Sequence, residues 1–105
     1  MDLLEIGERI AHLRCIRNVS AREMSFSVGL SANHINKMEN GKAIPSLATL
    51  FDICDYLKIS PKDFFDTENN DPNQVSEMVN DYKRLDSDAQ ANVAGIIKEL
   101  ARDSR

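Results

Sequence analysis

The chain has 105 residues, with 13 Lys and Arg against 17 Asp and Glu, for a formal charge of −4. That length supports one modest core without metals or disulfides, and no apolar run approaches the roughly 20 residues of a membrane span. The acidic, amphipathic opening MDLLEIGERI is wrong for an export signal, so a cytoplasmic protein with no membrane partner is expected.

Cys15 and Cys54 lack metal-type spacing, and His12 adds only one further ligand type to helix 1. No metal and no cofactor are expected. Catalysis is not expected either: the serines at helix starts read as caps, the two His lie on different helices, and no glycine-rich phosphate loop is present.

The sequence reads as helices throughout. Leu3, Ile6, Ile10 and Leu13 give the first its apolar stripe. Ser20-Ala-Arg-Glu23 is a capping box opening a short helix with Met24 and Val28. Ser31 reads as the N-cap of a third helix over 31–39, seated by Ile35 and Met38. Ser46 caps a fourth, carrying Leu47, Leu50, Phe51, Cys54 and Leu57. Ser60-Pro61 opens a short fifth beside Ile59 and Phe64. Composition then turns polar at DTENNDPNQ. Beyond it, Asp71-Pro72 starts a stripe of Val75, Met78, Val79, Tyr82 and Leu85, and the box Ser87–Gln90 starts another of Ala89, Val93, Ile96, Ile97 and Leu100. The expected class is all-α: a five-helix domain over 1–66, a linker over 67–74, and a two-helix extension over 75–105. Thirty residues support little core alone, so the extension must pack on the main domain or on another chain. A homodimer through Val79, Tyr82, Val93, Ile96, Ile97 and Leu100 is the expectation.

Between Glu23 and Lys42 two short helices meet at Gly29, where a sharp turn requires positive φ. At about 100° per residue, turning Ile35 and Met38 inward leaves Asn33, Asn36 and Lys37 outward, with Ala32 at the edge. Asn and Lys are base-reading types in the major groove, and Ala offers a methyl contact. An ordinary solvated helix face accounts equally well for that geometry.

From Ile6 to Phe65 the chain resembles the XRE family, the phage Cro and repressor type of helix-turn-helix domain. The matching residues are IGERIAHLR, Ser20, Glu23, Met24, Val28, GLS at 29–31, Ile35, MENGK at 38–42, PSLATL at 45–50 and ISPKDFF at 59–65. The resemblance implies a regulator of transcription that binds double-stranded operator DNA as a dimer. It carries base reading onto Ala32, Asn33 and Lys37, with Asn36 nearby, and phosphate contact onto Ser20, Ala21, Arg22, Asn40 and Lys42. Arg17, Ser31 and His34 complete the expected phosphate-facing set. Arg14 and Glu39 occupy positions that pair as an internal ion bridge in related repressors. The departures are Ala21, where a glutamine is common, Ser25, where Ala is usual, and the apolar Ile16 and Phe26, which with Cys15 suggest a docking patch.

Residues 1–45 sum to +1 and residues 67–105 to −3, so the negative surplus is expected in the appendage. Four cations, Arg17, Arg22, Lys37 and Lys42, remain for the DNA face. That number makes dimeric binding close to a requirement. The competing reading is a protein-interaction module of the same fold, binding a regulatory partner with DNA contact secondary.

Overall fold

The computed structural model describes residues 1–103, and all regular structure among them is helical. The order is α1 Leu3–Ile16, α2 Ala21–Ser27, α3 His34–Glu39, α4 Leu47–Leu57, α5 Pro61–Phe65, α6 Pro72–Arg84 and α7 Ser87–Asp103. Two compact units divide the chain, the first Met1–Asn73 and the second beginning at Gln74.

Four early helices start on a side-chain oxygen that accepts an otherwise orphaned amide. Asp2 takes the Glu5 N–H, Ser20 that of Glu23, Ser46 that of Thr49 and Ser60 that of Asp63. Two expected starts move. Ser31 does not cap α3, which begins at His34 with Asn33 as its N-cap and no side-chain bond from that residue. Ser87 does not cap α7. Asp86 Oδ1 accepts the Ala89 N–H at 2.8 Å instead, and Gln90 Nε2 reaches back to the Tyr82 carbonyl.

The core of the first unit is Ile10, Leu13, Met24, Ile35, Met38, Leu50, Ile53, Cys54, Leu57 and Phe64, each 8% exposed or less. Burying a side chain of this kind contributes about 1.5–3 kcal/mol. Burial also pushes the Cys54 thiol pKa up, keeping it a neutral packing group. Leu47 and Phe51, read as core positions of α4, instead remain 66% and 45% exposed, and Ile53 takes the buried place.

Two side chains tie distant segments together. Arg9 is 5% exposed, and its guanidinium donates to four carbonyls, Nε to Phe64 and Nη2 to Asp63, Asp66 and Asn69, at 2.7–3.0 Å. It thereby satisfies the carbonyls that α5 leaves open at its C-terminus. Burial lowers its pKa, with Asp66 and Asp63 partly opposing that shift. His12 Nε2 adds a bond to the Asn70 carbonyl at 2.8 Å. The polar stretch read as the start of a linker is thus fastened to α1 as far as Asn70. Pro72, the first residue of α6, is buried, and Asn73 Nδ2 donates to the Leu57 carbonyl.

The second unit contrasts with this. From Gln74 to Asp103 no residue is buried, and only Ala89, Gln90, Val93 and Ala94 are half-buried. Val79, Tyr82, Ile96, Ile97 and Leu100 are 38–63% exposed.

Candidate nucleic-acid interface

The interface is built on the closeness of α1, α2 and α3. Gly7 allows the closest approach: a Cβ there would collide with the Met38 carbonyl oxygen and stand 2.8 Å from that of Glu39. Arg14 fixes the same end of α3. Its Nε and Nη2 grip the two Glu39 carboxylate oxygens at 2.7 and 2.9 Å, and Nη1 donates to the Val19 carbonyl. The side chains are 17% and 9% exposed, and the bond to Glu39 raises the Arg14 pKa. Such a bidentate, half-dry fork fixes geometry as well as charge.

The other end of α3 is held from α2. Gly29 has φ of +78° and turns the chain sharply after α2. Ser25, fully buried, donates to the Ala21 carbonyl at 2.9 Å and accepts the Ile35 N–H at 3.1 Å. A hydroxyl on one helix therefore caps the next. In the sequence Ser25 shows only as a minor departure from the usual Ala; in the structure it substitutes for the cap that Asn33 does not supply.

With both ends fixed, Ile35 and Met38 are 0% and 1% exposed and face the core. Asn33, Asn36 and Lys37 are exposed on the opposite side, and Ala32 is half-buried at the turn before α3. The four expected base-reading residues thus fall on one turn-plus-helix segment of the first unit.

The expected phosphate set separates. Arg22, Ser31 and Lys42 are exposed, and His34 is half-buried at the α3 start. Arg22 lies over the Phe26 ring, 5.4 Å from its centroid, so the exposed aromatic has a local use as a platform for the guanidinium. Ser20 Oγ is engaged as the α2 cap. The Ala21 side chain packs against the core and offers a phosphate nothing. Asn40 Nδ2 is engaged with the carbonyl and Oδ1 of Asn36 at 2.8 and 3.0 Å. Arg17 is exposed too, but its Nη1 donates to the Leu57 carbonyl at 2.7 Å, at a cleft lined also by Leu13, Ile16, Ile59 and Pro72. Ile16 belongs to that cleft, while Phe26 serves Arg22, so the two apolar departures have separate local roles.

Two short helices joined at a positive-φ glycine, with a polar face opposite a buried seam, define a helix-turn-helix protein. A helix-turn-helix family model matches residues 10–64, and the chain belongs to this family, in its XRE branch of DNA-binding transcriptional regulators. Over 98 residues it is 26% identical to the cryptic phage CTXphi transcriptional repressor RstR of Vibrio cholerae serotype O1, covering 92% of this chain and 88% of that protein. The fold is similar to the restriction-modification controller protein C.AhdI of Aeromonas hydrophila, with a TM-score of 0.58 and 28% identity. That match covers 61% of this chain and 97% of the controller. No helix among the described residues is long and apolar enough to cross a membrane.

Proposed function

We propose that this regulator acts as a homodimer on paired operator half-sites, with α3 and the turn before it in the major groove. Ala32, Asn33, Asn36 and Lys37 meet base edges, while Arg22 and Lys42, flanked by Ser31 and His34, meet phosphates. The observation that carries this reading is the opposition on α3 itself: Asn33, Asn36 and Lys37 exposed, Ile35 and Met38 sealed. A helix so short, held at both ends by side chains from α1 and α2, presents its polar face rigidly, which base recognition requires.

Dimerisation is assigned to α6 and α7. Helices of 13 and 17 residues are marginal alone in water, and these two leave their apolar stripes exposed. Similarity to the phage repressor covers 92% of the chain and so extends into this region. A two-fold dimer of this kind matches operators whose half-sites lie about one DNA turn, ~34 Å, apart.

In-vitro selection of bound DNA with the full chain tests the function. The wild type is expected to enrich a two-fold motif, and Asn33→Ala/Lys37→Ala to lose it while remaining helical by circular dichroism. Full selectivity in that double variant removes base reading from α3. A protein-interaction role is favoured by one feature, the exposed Ile44 just before α4 with Leu47 and Phe51 on that helix. Selection that enriches no sequence, beside a stable complex with a regulatory protein, supports that alternative.

A further inference from the structure

The first unit holds four arginines, and three of them spend N–H donors on the protein itself. Arg9 gives its donors to four carbonyls, Arg14 to Glu39 and the Val19 carbonyl, and Arg17 one to the Leu57 carbonyl. Arg22 differs. Its guanidinium carbon lies over the ring of Phe26, one turn further along α2 and 5.4 Å from the ring centroid. Among the described residues nothing accepts a hydrogen bond from Arg22 or pairs with its charge.

An aromatic ring attracts a guanidinium through its π cloud and uses up no N–H donor. Arg22 is therefore held in place with its whole donor fork still open. Phe26 itself is 57% exposed, so core packing does not account for a ring of this size here. Phosphate is the ligand that suits the pair. Two of its oxygens accept from the planar fork edge-on, which leaves the guanidinium face to the ring. A long side chain loses entropy when a ligand immobilises it, and one already held loses less. The placement matters as well. Ser25, which lies between the two in sequence, accepts the Ile35 N–H and ties α2 to α3. A phosphate gripped by Arg22 thus fixes the register of α3 along the duplex. We infer that Phe26 is a positioning residue that holds Arg22 ready for a bidentate grip on one DNA phosphate. This rests on the reading that α3 enters the major groove.

The full chain tests it in two ways. In the free protein, the Phe26 ring current should move the Arg22 δ-methylene protons upfield by NMR relative to their position in Phe26→Leu. Identical shifts overturn the inference whether or not DNA binds. On a selected operator, Phe26→Leu should weaken binding about fivefold and leave the selected sequence unchanged, since phosphate contacts carry no base information. Phe26→Tyr, which keeps the ring, should bind within about twofold of wild type. In an Arg22→Ala background, Phe26→Leu should change affinity by less than about twofold. Two results overturn the role of Phe26 while leaving DNA reading intact: a loss of about fivefold that persists without Arg22, or wild-type affinity in Phe26→Leu where Arg22→Ala binds more weakly. Arg22→Lys keeps the charge without the fork and should also bind more weakly; wild-type affinity there overturns the bidentate grip. Wild-type affinity in Arg22→Ala removes the phosphate contact itself. A wild type that selects no DNA overturns the major-groove reading, and this inference with it.

Discussion

Ser25→Ala removes one oxygen from a fully buried site and tests how α3 is held. The Ile35 N–H, which Ser25 Oγ accepts at 3.1 Å, then faces a packed interior with no replacement on its own helix. An unpaired buried donor costs about 1–3 kcal/mol. The Ala21 carbonyl loses the 2.9 Å bond from the same hydroxyl but keeps its place in the helical ladder, so its loss is small. Alanine returns about 0.5 kcal/mol of helix propensity. The net expectation is destabilisation by about 1–2 kcal/mol, where a domain of this size is stable by about 5–10 kcal/mol in total. Urea unfolding followed by circular dichroism measures it, with the exposed Ser27→Ala on the same helix as a control expected within about 0.5 kcal/mol of wild type. Hydrogen exchange at the Ile35 amide should accelerate more than at Met38. Equal stability of Ser25→Ala and wild type, with unchanged Ile35 exchange, refutes the cross-helix cap.

Gly7→Ala should destabilise despite alanine's higher helix propensity, by about 1–3 kcal/mol, because its Cβ meets the Met38 and Glu39 backbone. A melting temperature at or above wild type contradicts that approach. Ending the chain at Asn73 should leave a folded monomer whose affinity for a two-half-site operator falls at least tenfold; a dimer by light scattering would relocate the interface to the first unit.

How much of this was legible in the sequence depended on whether a structural cause was local. Ser20, Ser46 and Ser60 act within three residues of their own positions, so their spacing to the accepted amide is visible in the chain. The α3 start was not, because its cap comes from Ser25, ten residues earlier and on another helix. At Asp86-Ser87 two capping residues stand adjacent, and pattern alone does not choose between them. Backbone acceptors leave still less trace. Arg9 is occupied by four carbonyls and Arg17 by one, and a carbonyl has no residue type to signal it. The same blindness made residues 67–74 read as a tether, since their polar composition is what a linker and a docked loop share. The outward set Asn33, Asn36 and Lys37 was legible because helical periodicity reports which side of α3 is sealed.

Those hidden bonds also change the electrostatics. With the boundary at Asn73, the first unit holds eight basic and eleven acidic side chains, a net −3, and the second only −1, so the acidity belongs mainly to the DNA-binding unit itself. Within that unit residues 1–45 sum to +1 and residues 46–73 to −4. Of the six cations in 1–45, Arg9 is buried in carbonyls, Arg14 is paired with Glu39 and Arg17 is bonded to Leu57. Arg22, Lys37 and Lys42 remain, one fewer than the sequence suggested. With Lys37 on a base edge, the two cations on phosphate, Arg22 and Lys42, give a log–log salt slope near −1.8 for one subunit and near −3.6 for a dimer, at about −0.9 per neutralised phosphate. Fluorescence anisotropy on a selected operator across a sodium chloride series measures this slope. Arg22→Ala or Lys42→Ala should flatten it by about two in a dimer, whereas Arg17→Ala should leave it unchanged. If Arg17→Ala flattens the slope as much as Arg22→Ala does, its guanidinium leaves Leu57 to meet phosphate, and the division of cations between scaffold and DNA is wrong.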